Sequence, residues 1–542
     1  MFASSKRSLW LAICALRMLT PEVLRAQVSN DPQVTFKTRS ELVTVPVVVT
    51  DKSGRHMRGL KKDDFVLLED GKEQKTATVD EIVMPDAPST PSTPPDQFSN
   101  VFGPDPKPIN LTILVLDLVN TPFEDQAFAK GELIKYLSQS GDAHPTSIFA
   151  LTRNGLKVIH DFATSPRSLS TALQKAPGEH ELVEPAGQEA IPAGTSPLVA
   201  QAMERMHESE QRMESLERVF AIKLTLQAMQ QIAQSCSGLP GRKAMLWASA
   251  GFPFSVNELS MELDSFADIS DLYEKTWRAL NQAQVAVYPV DVRGLVNPSV
   301  SDVSISNPRR EAAAHAAWMN TETIGTFQTF AQATGGRAFF NTNDLKEAFE
   351  QAADDNSEYY LLTYYLDSAN KAPGWHKLSV HVRREGSQVR SRSGFFLAPA
   401  KPGGDDKTEM QIALGSPLNY TSIPITGRWQ QVLPSKEPGK KTAIFLLSMP
   451  ATLADAQENN DNHLKLKIAA VALTATGVSA GESLKTIDGY PQGDDLKQIR
   501  THGLDYRGGL VVPPGEYTVR FAVEDLLNGR IGSVSAHLTV TP

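Results

Sequence analysis

The chain has 542 residues, of which 41% are hydrophobic and 21% are charged, so its composition is that of a globular protein with several cores. The net charge of −9 argues against a nucleic-acid partner, because nucleic acids are bound through clustered Lys and Arg on the phosphates. Past the N-terminus no stretch has the length and apolarity of a membrane-spanning helix, so we expect no transmembrane segment.

The N-terminus has the layout of a secretory signal peptide. Lys6 and Arg7 precede a short apolar stretch, and Ala26 provides a small residue for cleavage. We therefore expect residues 1–26 to be removed and the mature protein to be secreted or periplasmic. An amphipathic N-terminal helix is the alternative. A lipid anchor at Cys14 matches less well, because a small residue is needed before such a cysteine.

Residues 34–85 are predicted to form an N-terminal β domain, which is either a small β-sandwich or a strand cap on the next domain. The segments LVTVPVVVT and DFVLLEDGKEQ alternate with the period of a half-buried strand, and Asp70-Gly71 is typical of a hairpin turn. Residues 86–109 are rich in Pro and Ser. They cannot bury a core, so they are predicted to form a linker or an extended strap.

Between residues 110 and 400, apolar strands alternate with helices. This pattern predicts a doubly wound, mostly parallel sheet covered by helices on both faces, and hence an α/β fold class. A long helix is predicted over 198–235, with Cys236 buried near its end, and residues 176–197 are predicted to be a surface insertion. The predicted strands include LTILVLDL, TSIFALT, KAMLWAS, VAVYPVDV, GGRAFF and EYYLLTYYL.

Residues 408–542 are predicted to form a C-terminal all-β sandwich, because alternating segments return and turn residues separate them. The predicted strands are MQIALGS, TAIFLLSMP, HLKLKIAAVALTA, GEYTVRFAVED and SAHLTVTP.

Four segments together resemble a known family. In chain order, ILVLDLVNT, LWASAGFPF, VYPVDVRGL and TGGRAFFNTNDL are similar to a von Willebrand factor A (VWA) domain, and more closely to the VWFA-related family of acidobacterial type. The resemblance covers residues 34–400. It implies a protein-binding or adhesion function and a divalent cation at the strand ends, held by Asp-x-Ser-x-Ser with a distant Thr and a distant Asp.

This adhesion motif is degenerate in the chain. Asp117 matches the first Asp, Val119 replaces the first Ser, and Thr121 keeps the second hydroxyl. Thr195 is the candidate for the distant Thr, and Ser249 or Ala248 stands where the distant Asp is expected. Because hard cations depend on carboxylate oxygens, Asp117 and Thr121 predict at most weak binding of Mg²⁺ or another divalent cation.

Asp117 has a second interpretation. Asn120 and Thr121 precede Pro122, a pattern that is typical of a helix start. In this reading Asp117 accepts backbone N–H bonds and holds the loop in place, without a metal.

Other strand ends bring polar residues toward the same edge. Asp291 and Arg293 end another buried strand, and they either line this edge or form a local ion pair. Because ligands bind at the carboxyl ends of strands in open α/β sheets, we predict a ligand-binding edge there. Its predicted members are Asp117, Asn120, Thr121, Thr195, Ser249, Asp291 and Arg293.

The functional hypothesis is an exported, non-enzymatic binding or adhesion module that holds an unidentified protein partner at this edge. One alternative is a structural scaffold of the cell envelope. The other is a hydrolase that uses Ser249, which follows a strand as a nucleophile does. That chemistry needs a histidine beside Ser249, and His160 and His315 are the candidates.

Overall fold

The structure is a computed structural model. It describes residues 40–84, 96–101, 111–139, 145–163, 165–176, 178, 196–252, 267–294, 323–342, 344–367, 371–397, 406–455 and 462–542. The predicted signal peptide, Thr195 and His315 lie outside the described residues, as do most of the predicted insertion at 176–197 and most of the predicted linker.

The described strands are β1 (Ser40–Thr50), β2 (Phe65–Glu69), β3 (Lys72–Gln74), β4 (Thr76–Val83), β5 (Gln97–Ser99), β6 (Leu111–Asp117), β7 (Thr146–Thr152), β8 (Gly155–Ala163), β9 (Lys243–Ser249), β10 (Val285–Asp291), β11 (Glu358–Asp367), β12 (Gly374–Val382), β13 (Gln388–Ser391), β14 (Gly394–Leu397), β15 (Thr426–Pro434), β16 (Lys441–Met449), β17 (Leu464–Leu473), β18 (Ser479–Gly489), β19 (Leu504–Val512), β20 (Gly515–Asp525) and β21 (Arg530–Val540).

The described helices are α1 (Phe123–Gln139), α2 (Pro166–Lys175), α3 (Pro197–Cys236), α4 (Ala267–Gln282), α5 (323–334), α6 (Leu345–Ser357), α7 (Asp406–Gly415), α8 (Thr452–Asp455) and α9 (Gly493–His502). A short 3₁₀ turn covers Lys62–Asp64.

One mixed sheet contains the strands that the adhesion motif occupies. Its order is β10-β9-β6-β7-β8, in which β10, β9, β6 and β7 run parallel and β8 is antiparallel to β7. Alternate residues of β6 enter different cores. Ile113 and Val115 pack in a core with residues of α3, α4 and α5, whereas Leu114 and Leu116 pack in a core with residues of α1, α2 and α6.

Two antiparallel sheets each combine strands that precede the mixed sheet in the sequence with strands that follow it. One has the order β13-β1-β11-β4 and the other the order β14-β12-β2-β3. Val45 of β1, Leu67 of β2 and Tyr364 of β11 are buried in one shared core. The strands of residues 40–83 are therefore completed by partners that lie about 300 positions later, such as Val45 opposite Leu362.

Two further antiparallel sheets form the C-terminal part. Their orders are β19-β16-β15-β5 and β18-β17-β20-β21, and Phe445, Val512 and Phe521 lie in the core that they share. Strand β5, which falls in the predicted linker, pairs with β15. The predicted boundaries at 85, 109 and 400 remain predictions, although strands on either side of them pair with one another.

The predicted fold class is wrong for this chain. The described residues form five sheets, of which four are antiparallel and only one contains parallel strands, so the chain is mostly β and is not a doubly wound α/β protein. The alternation of apolar strands and helices is a local signal that applies to the mixed sheet alone. The other sheets depend on pairing between distant strands, which local periodicity does not record.

Two predicted strands are also wrong. MQIALGS lies largely in helix α7, where buried Met410 and Ala413 have helical rather than alternating spacing. GGRAFF forms no strand, and its only pairing among the described residues is an isolated bridge from Phe339 to Val290.

The long helix predicted over 198–235 is confirmed as α3, which has 40 residues. Cys236 at its end is buried, as predicted.

Among the helices in the described part of the chain, none combines the length and apolarity needed to span a membrane.

Candidate functional site

Three strand ends meet at the predicted edge of the mixed sheet. Strand β6 ends at Asp117, β9 at Ser249 and β10 at Asp291. The parallel register aligns them, since Asp291 lies opposite Ser249 and Leu116 lies opposite Ala248. All three polar residues at these ends are fully buried, so this edge is a closed polar layer at the strand ends.

Asp117 accepts five hydrogen bonds from its surroundings. Its Oδ1 accepts from the backbone N–H groups of Val119 at 3.2 Å and Asn120 at 3.0 Å. Its Oδ2 accepts from Asn120 Nδ2 at 2.8 Å, Trp247 Nε1 at 2.9 Å and Ser249 Oγ at 3.0 Å. Both carboxylate oxygens are therefore occupied by protein donors.

The electrostatics of Asp117 agree with a structural role. Burial raises the pKa of its carboxyl group, and the hydrogen bonds from Asn120, Trp247 and Ser249 lower that pKa in part. A cation at Asp117 would compete with these donors, and displacing the Trp247 indole N–H would cost it the hydrogen bond that it makes in this buried layer.

Asn120 and Thr121 connect this layer to neighbouring elements. Asn120 Nδ2 also donates to Thr225 Oγ1 of α3 at 3.0 Å. The Thr121 hydroxyl accepts a hydrogen bond from the backbone N–H of Ala250 at 3.2 Å, just beyond β9. The sequence predicted both residues as members of the ligand-binding edge, with Thr121 also a metal ligand, or else as the start of a helix. In the structure their side chains join the loop after β6 to α3 and β9.

Asp291 and Arg293 form a local ion pair at the same edge. Arg293 Nη2 lies 2.7 Å from Asp291 Oδ2, and Arg293 Nε lies 2.9 Å from Asp291 Oδ1. The backbone N–H of Arg293 also donates to Asp291 Oδ1 at 3.0 Å. The pair thus braces the turn that follows β10, the second of the two roles considered for it.

Ser249 is held by polar groups that do not include a histidine among the described residues. Its hydroxyl lies 3.0 Å from Asp117 Oδ2 and 2.6 Å from the carbonyl oxygen of Gly251, and it accepts from the Gly251 N–H at 3.2 Å. His160 lies on β8, which β7 and β6 separate from β9. Among the described residues, no histidine therefore forms a hydrogen bond with Ser249 as a general base would.

A second group of polar residues, which sequence reasoning missed, lies on the sheet of β2 and β12. Glu69, Asp70 and His376 offer one ligand atom each, all within 4.8 Å of one another, and could hold a metal ion. His376 Nδ1 lies 2.8 Å from Asp70 Oδ2 and 3.6 Å from Glu69 Oε1. We call these three residues the Glu69 cluster.

The Glu69 cluster joins a hairpin to a neighbouring strand. Asp70 and Gly71 both have positive φ, of 50° and 78°, which confirms the predicted Asp-Gly turn between β2 and β3. Asp70 forms two hydrogen bonds with the backbone of Lys377 in β12. The Asp70 N–H donates to the Lys377 carbonyl, and the Lys377 N–H donates to Asp70 Oδ1, each at 2.8 Å.

These contacts lower the pKa of the Asp70 carboxyl group. Burial acts to raise the pKa of the Asp70 carboxyl, but the hydrogen bonds from His376 and from the Lys377 N–H outweigh it, and the pKa falls below its ordinary value.

One sequence signal could have found the Glu69 cluster. Phe65, Leu67 and Glu69 alternate along β2, and all three are buried, so a carboxylate occupies a position where the pattern demands an apolar side chain. Its partner His376 is about 300 residues away, which no local pattern connects to Glu69.

Comparison with known proteins adds no relative for this chain. No family model matches it, and no curated protein matches it. The resemblance to the VWFA-related family therefore remains a prediction from sequence motifs.

Proposed function

We propose that this protein is an exported, non-enzymatic binding protein that holds a protein partner at the carboxyl edge of its mixed sheet without a cation at Asp117. The observation that supports the proposal is the set of five hydrogen bonds to the Asp117 carboxylate. A cation that recruits a partner needs free oxygen ligands and an open coordination position. Asp117 has neither free oxygens nor solvent exposure.

The surface of this edge has residues that a partner can reach. Phe123 at the start of α1 is a large apolar residue with 52% of its surface exposed, and Glu124 beside it is exposed. Both follow directly after the loop that Asp117 holds. Aromatic residues such as Phe are enriched in protein interfaces, and the rims of interfaces are polar, so Phe123 is a suitable contact and Glu124 a suitable rim residue.

The first experiment tests the absence of a cation. The purified mature protein and its Asp117→Asn variant are titrated with Mg²⁺, Mn²⁺ and Ca²⁺ in a calorimeter. We expect the two proteins to give the same heats, because Asp117 has no oxygen to offer. Micromolar binding that disappears in Asp117→Asn would contradict the proposal.

The second experiment tests the binding surface. Immobilised protein is used to capture partners from the envelope and medium of the producing cells, with EDTA present. We expect Glu124→Arg to weaken capture at least tenfold, and Glu482→Arg, an equal charge reversal at an exposed position of β18, to leave it unchanged. Equal capture by both variants would show that this edge is not the binding surface.

The envelope scaffold is the second candidate. The closed polar layer at the strand ends favours it, because a filled edge suits a rigid spacer as well as a platform. The two functions differ in the capture experiment. A scaffold has no partner whose capture depends on Glu124, whereas a binding protein does.

A further inference from the structure

The Glu69 cluster lies on different strands from the mixed-sheet edge, and its arrangement is independent of the proposed function. We propose that Glu69, Asp70 and His376 bind a divalent transition metal of the Zn²⁺ class, which fastens the β2–β3 hairpin to β12.

The first support is the donor set. Zn²⁺ and its neighbours in the first transition row accept imidazole nitrogen and carboxylate oxygen together, whereas Mg²⁺ and Ca²⁺ prefer oxygen ligands alone. Ligands about 2.0–2.1 Å from a tetrahedral metal are about 3.3 Å from one another. The separations from His376 Nδ1, 2.8 Å to Asp70 and 3.6 Å to Glu69, lie on either side of that value.

The second support is the orientation of the imidazole. His376 Nε2 lies 2.9 Å from the carbonyl oxygen of Ala372, which can only accept, so Nε2 carries a proton and donates it. Nδ1 then faces the two carboxylates. A backbone carbonyl that holds the remote ring N–H is the usual way in which proteins orient a metal-binding histidine.

The third support is a buried carboxylate whose hydrogen bonding is incomplete. The Glu69 side chain is fully buried and its Oε1 pairs with Lys371 Nζ. Glu69 also interacts with the Tyr364 hydroxyl, but neither that hydroxyl nor Glu69 Oε2 forms a well-aligned hydrogen bond within the described part of the chain. An ionised carboxylate oxygen in such a place is costly unless a positive group compensates it. Lys371 supplies this positive group in the metal-free protein, and a bound cation would replace it.

The surroundings leave room for a fourth ligand. Glu69, Asp70 and His376 line a concavity of about 370 Å³, together with Lys371 and Tyr365. Three protein ligands and a water molecule complete a tetrahedral zinc site. Lys371 Nζ pairs with Glu69 Oε1. This ammonium group therefore competes with a metal ion for the Glu69 carboxylate.

The test combines two variants with opposite expected effects. Zn²⁺ is titrated into the purified protein by calorimetry, and the thermal unfolding midpoint is measured with and without Zn²⁺. We expect one site per chain and a higher midpoint with Zn²⁺. His376→Ala is expected to weaken binding at least tenfold and to abolish the midpoint shift, whereas Lys371→Met is expected to tighten binding, because the competing ammonium is gone.

His381→Ala is the matched control, since His381 is an exposed histidine on the same strand. It is expected to bind Zn²⁺ as the unmodified protein does. The proposal is overturned if the unmodified protein binds no Zn²⁺ at micromolar concentration, or if His376→Ala and His381→Ala bind it equally. Because Lys371→Met keeps all three ligands, its tighter binding would separate a real site from a general loss of folding in His376→Ala.

Discussion

At the scale of single residues, the buried Lys243 donates its hydrogen bonds to backbone carbonyl groups. Lys243 begins β9 at a fully buried position, and its Nζ donates to the carbonyl oxygens of Leu239 and Ala283. Burial lowers the pKa of Lys243 to about 8, and the nearby Cys236 acts weakly in the opposite direction. Carbonyl partners thus satisfy the ammonium protons without supplying a negative charge.

This pKa predicts a pH dependence of stability. The folded-state pKa of about 8 lies below the ordinary lysine value of 10.5, so the unfolded chain binds more protons between these pH values. The free energy of unfolding should therefore rise with pH in this window, by up to about 3 kcal/mol. Below pH 8, Lys243 is protonated in both the folded and the unfolded state. Burial of its charge then lowers the free energy of unfolding by the full amount.

Urea unfolding of the protein and of Lys243→Met between pH 7 and pH 10.5 checks this expectation. As pH rises, the free energy of unfolding of the unmodified protein should increase relative to that of Lys243→Met. The pH trend is the relevant result, because Lys243→Met also removes hydrogen bonds to two carbonyl groups at every pH. Parallel pH curves for the two proteins would contradict the expected titration.

At the scale of elements, the end of α3 is tied to the segment that leads into the C-terminal sheets. The Gly238 N–H donates to Thr421 Oγ1 at 2.8 Å, and the Thr421 hydroxyl donates to the carbonyl of Ser235 at 2.9 Å. The hydroxyls of Ser237 and Ser422 also share a hydrogen bond. A close backbone approach makes these contacts possible, and glycine is needed at 238 because a Cβ there would lie 1.8 Å from the Thr421 carbonyl oxygen.

We expect Gly238→Ala to lower the free energy of unfolding by about 1–3 kcal/mol, since neither backbone can move without breaking these bonds. Gly131→Ala is the control. Gly131 lies inside α1 with no atom within 4 Å of the added Cβ, so alanine there should stabilise the helix by up to about 1 kcal/mol. Urea denaturation measures both variants, and a neutral Gly238→Ala would show that the contact between α3 and Thr421 is loose.

At the scale of the whole molecule, strands that lie about 300 residues apart in the sequence complete one another's sheets. Strand β11 lies between β1 and β4, and β12 pairs with β2. Without residues 40–84, β11 would lose both neighbours and expose two unpaired edges, which promotes aggregation. The predicted N-terminal domain at 34–85 likewise lacks its central strand when it is separated from β11.

We therefore expect neither residues 34–85 alone nor a chain that begins at residue 96 to fold cooperatively. Circular dichroism during heating and size-exclusion chromatography measure the outcome. A chain that begins at residue 27 is the control, and it should unfold in a cooperative transition. A cooperative transition in the isolated 34–85 segment would support an independent N-terminal domain.

The candidate sites show the same division between local and distant information. The roles of Asp117 in a metal site and as an acceptor of loop N–H bonds were both readable from ILVLDLVNT, because the residues involved are close in sequence. Trp247 and Ser249, which lie more than a hundred positions away, also donate to Asp117 Oδ2, and no pattern near Asp117 indicates this. The Glu69 cluster needed His376, and only pairing of β2 with β12 brings it near.

The sequence by itself determined the short-range features of this protein: the strands and helices of the mixed sheet, the Asp-Gly hairpin, the long helix α3 and the buried Cys236. These follow from side-chain periodicity and turn chemistry within a few residues. The tertiary structure decided the order of five sheets, the mostly β character of the chain and the environment of each buried charge. These depend on which distant strands pair, and local periodicity carries no information about the partner.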